Sequence, residues 1–470
     1  MLYSKKIKKI KNKLKDNFWQ KTSITLVFFG IFLFIIYRVE VFDNVYKNNP
    51  VKQLSRVKAQ SLSLKDYASC NQTNDDEHKS VENIYVAPSE SLVNKYRSYI
   101  TTQNLVKNSN FGQVDINSQP LFFTQNDDSI NTSFSVLAES EKVFLRSTKL
   151  TNSSATKQAA WLPSPFVIKT KSYYYSLEYR SSSKASVDLV LFDQNNKPEN
   201  IRIANMPPSA AWQKLEGHFV NYDGKYSSAQ LVTYPSDKGY IDIKSLTLAE
   251  LQEKKLASGM VSVTFDDGWE SVYDKGFPLF KKYNITTTQF IISGFSAKAV
   301  DKYMGISQLK KMQQSGHEIA SHSLRHCDLT QLSQVDLDYD LVNSSKILQE
   351  NGFRVSGLAY PYGAYSQLIS QNSRANYSYN RTSDVGYNDF FADQYKIKTQ
   401  NIDSTTTVEQ INSWLDYAKI NKLWLVLVYH QVGESGDYNV TTVNLENHLK
   451  AIRASGLPVH TVNGALATIQ

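Results

Sequence analysis

Three short stretches hold side chains whose types and spacing could carry out hydrolysis. Val261-Ser-Val-Thr-Phe-Asp266-Asp267-Gly268 ends an alternating apolar run in two adjacent carboxylates and a glycine. Once the chain turns at a strand end, neighbouring side chains point in different directions, so one carboxylate can bind a metal while the other receives a proton. Like charges this close are costly inside a protein unless a cation or hydrogen bonds offset them. Alone, Asp-Asp-Gly is also a common turn. His322-Ser-Leu-Arg-His326 follows the run Glu318-Ile-Ala-Ser321, in a chain with only 8 histidines. Two imidazoles four residues apart can face one centre if the chain between them makes a helical turn. A surface loop or a core histidine is the competing reading. Leu423-Trp-Leu-Val-Leu-Val-Tyr-His430 is a hydrophobic run that delivers one histidine at its end, a candidate acid or base.

One Asp and two His would make a three-ligand site with room for exchange, consistent with Zn2+, with Co2+, Ni2+ and Fe2+ as alternatives. Such an ion acidifies bound water and polarises a carbonyl, which favours hydrolysis.

In this order the stretches resemble the polysaccharide deacetylases of carbohydrate esterase family 4, the NodB-homology domain. Thr264-Phe-Asp-Asp-Gly268 is similar to that family's first motif and His322-Ser-Leu-Arg-His326 to its second. Ala359-Tyr-Pro-Tyr-Gly363 is similar to a variant of the third and Val428-Tyr-His430 to the last. The resemblance implies that Asp267, His322 and His326 bind the divalent metal and that Asp266 is the general base. It also implies that His430 is the general acid and that the backbone N–H of Tyr362 helps to stabilise the oxyanion. Two departures stand out. Ala359 occupies the position where the family's third motif usually begins with an arginine that orients the base. The fourth motif, an Asp followed by Trp, has no clear match; Arg381-Thr-Ser-Asp384-Val-Gly-Tyr-Asn388 fills that region, with Asp384 as the candidate partner of His430.

The elements that must position these residues read as alternating strands and helices. Apolar runs at Met260–Thr264, Thr286–Ile292, Glu318–Ser321, Gly357–Ala359, Leu423–Tyr429 and Leu457–Val462 read as strands. Amphipathic runs at Ile306–Ser315, Val335–Asn351, Val408–Lys419 and Leu445–Ser455 read as helices. This alternation predicts a parallel sheet over residues 257–470, most simply a (β/α) barrel of eight strands or fewer, with its chemistry at the C-terminal strand ends.

Residues 101–252 read instead as an all-β, jelly-roll-like sandwich, with short β-branched and aromatic runs separated by turn clusters such as Asp193-Gln-Asn-Asn-Lys197. Asn104-Leu-Val-Lys-Asn-Ser-Asn-Phe-Gly112 and Tyr240-Ile-Asp-Ile-Lys-Ser-Leu-Thr-Leu248 resemble the opening and closing segments of carbohydrate-binding modules. Trp161 and Trp212 could stack on sugar rings, or could be core residues.

The net charge of +8 is concentrated at one end: residues 1–22 hold eight lysines against Asp16 alone. The rest of the chain is close to neutral, which argues against a nucleic-acid partner. After this basic tail, residues 23–42 read as a transmembrane anchor that keeps the tail cytoplasmic and exports everything beyond it, a cleaved signal peptide being the alternative. Residues 43–100 read as a polar stalk, with weak helical periodicity near Glu90–Ile100. Of the two cysteines, Cys70 and Cys327, the second reads as a small buried residue, and a disulfide across two domains is not expected. The expected activity is removal of N-acetyl groups from an acetylated polysaccharide, exopolysaccharide or peptidoglycan, at the cell surface. The alternatives are an O-acetyl esterase on a xylan-like polymer and a catalytically silent glycan-binding protein.

Overall fold

The computed structural model describes residues 88–470, apart from 127–130, 141, 153–158, 170, 222–223, 434–435 and 470. The expected architecture is corrected at its N-terminal end. Among the described residues no helix is long and apolar enough to cross a membrane. Residues 23–42, on which the transmembrane expectation fell, lie outside them, as do the basic tail and most of the stalk. The uninterrupted run Ser23–Tyr37 is also shorter than the ~17–25 residues that a span needs. The end of the expected stalk forms helix α1 (Glu90–Ser98), whose N-cap Ser89 accepts from the Leu92 N–H and which buries Leu92, Val93 and Tyr96.

Eleven strands follow: β1 (Phe123–Asn126), β2 (Thr132–Glu139), β3 (Lys142–Lys149), β4 (Ala160–Pro163), β5 (Phe166–Val167), β6 (Ser172–Ser181), β7 (Ala185–Asp193), β8 (Pro198–Met206), β9 (Ser209–Val220), β10 (Tyr226–Pro235) and β11 (Gly239–Glu250). They form two antiparallel sheets, ordered β1-β4-β10-β7-β8 with β5 beside β10, and β2-β3-β11-β6-β9. Alternate residues of the long strands meet in one apolar cluster: Leu177, Leu215, Ile241 and Leu248 from one sheet, Val187, Leu189 and Leu231 from the other. Trp161 belongs to the core, 2% exposed, with its indole N–H on the Arg146 carbonyl. Trp212 is half-buried against Phe144, with the Arg180 guanidinium over its ring.

Seven parallel strands then close a barrel: β12 (Met260–Phe265), β13 (Thr287–Ile291), β14 (Glu318–Ser321), β15 (Gly357–Ala359), β16 (Tyr379–Val385), β17 (Ile397–Asn401) and β18 (Trp424–Tyr429), with β18 returning to pair with β12. β12, β13 and β18 are buried at every residue, as strands covered on both faces must be. Helices α2 (Phe277–Lys282), α3 (Ser293–Ala297), α4 (Ile306–Gln314), α5 (Gln334–Glu350) and α6 (Gln367–Ser373) connect the strands from β12 to β16. Val261, Val263 and Phe265 face the same cluster as Leu425 and Leu427, packed under α7 (Val408–Asn421) and α8 (Thr442–Ser455) through Ile411, Leu415, Leu445 and Leu449. The intervening residues Met260 and Val426 join Phe290, Ala320, Ala359 and Tyr379 in a second cluster. The strand expected at Leu457–Val462 is reduced to a single parallel bridge, Val459 to Val261 of β12, before α9 (Val462–Ile469) begins. Cys327 is fully buried but is disulfide-bonded, which corrects the expectation of an unpaired residue.

Candidate active site

Parallel register brings the chemistry together at one end of the barrel. Phe265 of β12 is level with Tyr429 of β18, and the Asp266 N–H bonds to the Tyr429 carbonyl at 2.9 Å, so Asp266 and His430 leave adjacent strands at the same height. His322 leaves β14 in the same way, its N–H on the Ile291 carbonyl at 2.8 Å. Just past β12, Asp267 takes φ 72° and Gly268 φ 85°, and this left-handed pair turns the two carboxylates apart.

His322 and His326 are not joined by the expected helical turn. The loop between them has Ser323 at φ 68° and His326 at φ 60°, and the His326 N–H bonds to Ser323 Oγ at 2.8 Å. A buried carboxylate from α5 (Gln334–Glu350) fastens this loop: Asp340 accepts from the Leu324 N–H at 2.8 Å and from Arg325 Nε at 3.1 Å. Burial raises the Asp340 pKa despite those bonds.

The result is a convergence of acceptor atoms. Asp267 Oδ1 lies 3.5 Å from His322 Nε2 and 3.3 Å from His326 Nε2. The ligand atoms of the three residues all lie within 4.8 Å of one another. Trp269 Nε1 donates to Asp267 Oδ2 at 2.8 Å, whereas Oδ1 is buried with no hydrogen-bond partner. His322 Nδ1 lies 2.9 Å from the Ala359 carbonyl, so Nδ1 carries the proton and Nε2 turns its lone pair to the centre. Burial, opposed by Asp266 and reinforced by His326, holds the His322 pKa down at about 4. Burial would raise that of Asp267, but the electrostatic influence of the nearby His326, His430 and His322 rings and the Trp269 hydrogen bond outweigh it and hold the carboxyl below its usual range. A neutral imidazole beside an ionised carboxylate is the donor set a divalent cation selects. Separations of 3.3 and 3.5 Å suit side chains that would share one divalent cation. The three residues therefore fit a bound metal ion.

Asp266, 3% exposed, is next to this centre: its Oδ2 lies 3.9 Å from His322 Nε2 and 4.0 Å from His430 Nε2. Tyr362 occupies the turn Pro361–Gly363 with φ 58°, its ring 4.6 Å from that of His326. His430 has a buried Nδ1 without a hydrogen-bond partner and a ring 5.2 Å from that of Tyr438. Asp384, the expected partner of His430, instead accepts from the Tyr365 hydroxyl at 2.7 Å. Sequence reasoning missed Trp269, Asp340 and, above all, Arg381, whose Nη2 donates to Asp266 Oδ2. The signal for Arg381 is the register of β15 on β16, which pairs Ala359 with Arg381.

Residues 253–379 match the family model described as polysaccharide deacetylase. Over 155 residues the chain is 28% identical to the putative polysaccharide deacetylase YxkH of Bacillus subtilis (strain 168), covering 32% of this chain and 54% of that protein. Over 140 residues it is 32% identical to the poly-beta-1,6-N-acetyl-D-glucosamine N-deacetylase of Staphylococcus aureus (strain N315), covering 26% of this chain and 48% of that protein. The chain thus spans about half the length of these curated relatives. Among solved structures it is similar to the Streptococcus pyogenes deacetylase PplD in complex with acetate, at 26% identity over 29% of this chain and 62% of that one, with a TM-score of 0.29.

Proposed function

We propose that this chain, which carries a polysaccharide deacetylase domain, hydrolyses N-acetyl groups on an amino-sugar polymer with the help of a divalent metal, Zn2+ being the ion this donor set favours. The observation that carries this reading is the meeting of Asp267 Oδ1 with two imidazole Nε2 atoms at 3.3 and 3.5 Å, beside the buried carboxylate of Asp266. A cation held by Asp267, His322 and His326 supplies Lewis acidity to the amide carbonyl and lowers the pKa of water. Asp266 takes the proton of the attacking water as the new C–O bond forms. The Tyr362 backbone N–H donates to the oxyanion that develops on the carbonyl oxygen. His430 gives a proton to nitrogen as the C–N bond breaks, so that acetate and a free amine leave. A polymer of N-acetylglucosamine is the favoured substrate, because a relative named for acting on the β-1,6-linked polymer shares 32% identity.

The test is acetate release, with added Zn2+, from β-1,6-linked poly-N-acetylglucosamine, peptidoglycan and O-acetylated xylan. Release from an N-acetylated polymer is expected. Release from the xylan ester alone would overturn the amide assignment.

A further inference from the structure

We propose that Arg381 is the positioning residue for the general base, reaching it from β16 while the neighbouring strand β15 contributes only a methyl group at the same level. This inference rests on the reading of Asp266 as base. Arg381 is 2% exposed, among the largest fully buried side chains of the described residues. A guanidinium taken out of water is costly to keep charged unless a nearby anion offsets the lost solvation. The carboxylate that meets it is Asp266, through Nη2 and Oδ2.

The surroundings hold the arginine in one orientation. Its guanidinium lies 5.0 Å from the centroid of the Phe290 ring, and Nη1 donates to the Thr382 carbonyl at 3.4 Å. Ala359, paired in register with Arg381, is fully buried, so a long side chain there would compete for the same space. The guanidinium fixes the rotation of the Asp266 carboxylate, keeping Oδ2 3.9 Å from His322 Nε2 and 4.0 Å from His430 Nε2. Oδ1 has no hydrogen-bond partner and is the oxygen open to a proton. A base allowed to swing by an ångström loses about 100-fold in rate, which is the scale of effect expected here.

The test is a set of substitutions in the metal-loaded chain, read as kcat, KM and Zn2+ content. Arg381→Met keeps the volume and removes the charge. It is expected to lower kcat about 100-fold with KM and metal content unchanged. Added guanidinium ion should recover part of the rate, as should Ala359→Arg combined with Arg381→Ala, which supplies the same group from the adjacent strand. In an Asp266→Asn background, Arg381→Met should cost nothing further, because the arginine acts through that carboxylate. Should Arg381→Met fail to fold, Arg381→Lys keeps the charge without the fork and is expected to lower kcat with KM unchanged. Parental kcat in Arg381→Met (or in Arg381→Lys, where only that variant folds), or a full additional loss in the Asp266→Asn background, would overturn the assignment. A parent chain that releases no acetate would instead overturn the functional reading itself.

Discussion

Asp242 in the sandwich and Asp266 on the barrel rim are both buried aspartates bound by arginine, but their oxygens are treated differently. Asp242, fully buried, accepts from Arg146 at 2.7 and 2.9 Å and from Arg180 at 2.8 Å, so both oxygens are satisfied. Asp188 is likewise shared between Arg202 and the Tyr234 hydroxyl. Asp266 and Asp267 each have one oxygen bonded, by Arg381 and Trp269, and one buried oxygen with no partner. An unpaired buried acceptor costs about 1–3 kcal/mol, and a fold keeps it where a ligand or a proton will meet it. The two sandwich aspartates thus have both oxygens satisfied, whereas the two at the barrel rim each keep one oxygen for a ligand or a proton.

The largest expected effect comes from removing the acting carboxylate. Asp266→Asn should lower kcat about 1,000-fold while Zn2+ binding is retained, measured as acetate release and metal content of one sample. Equal rates would return Asp266 to the structural class of Asp242. His430→Ala should lower kcat on an amide about 100-fold, and less on an acetyl ester, whose leaving group depends less on protonation.

A smaller effect belongs to a histidine remote from the rim. His317 is 5% exposed, accepts from the Thr287 N–H at 3.0 Å, and has its pKa lowered by burial to about 4. The unfolded chain, with an ordinary pKa near 6.5, takes up the proton first as pH falls. Stability should therefore drop between roughly pH 6.5 and 4, by up to about 3 kcal/mol. His317→Gln should flatten that part of a urea-melt pH series; an unchanged slope would contradict the claim. Smallest is Asp242→Asn, which should cost about 1–3 kcal/mol of stability in urea melts, because Arg146 and Arg180 are partly exposed and recover water. Its kcat per folded molecule should equal that of the parent, and a loss of kcat would blur the contrast between the two regions.

The barrel was legible where its strands are apolar. β12, β14, β15 and β18 fall within a residue of the runs read from sequence, because parallel strands covered on both faces need continuous hydrophobicity. β16 was invisible for the opposite reason. Asn380, Arg381 and Thr382 are buried polar residues held by partners elsewhere in the fold: Asn380 Nδ2 donates to Ser373 Oγ at 2.6 Å, and Thr382 Oγ1 donates to the Ile397 carbonyl at 3.0 Å. The strand read at Leu457–Val462 shrinks to one parallel bridge for a similar reason. Thr288 Oγ1 and Glu318 Oε2 accept from the Val462 and Asn463 N–H groups and cap α9 there, a tertiary effect that no local pattern contains. In the site, residue types at strand ends revealed Asp266, Asp267, His322, His326 and His430. Arg381, Trp269 and Asp340 become visible only when register and packing are known.

The most direct measurement is Zn2+ content and acetate release on the same chain before and after chelation. One ion per chain is expected, with loss of both ion and activity on chelation and recovery of both on adding Zn2+, and neither regained by a chain carrying His322→Ala and His326→Ala. Undiminished acetate release from the chelated parent, or full metal binding by the double variant, would contradict this expectation.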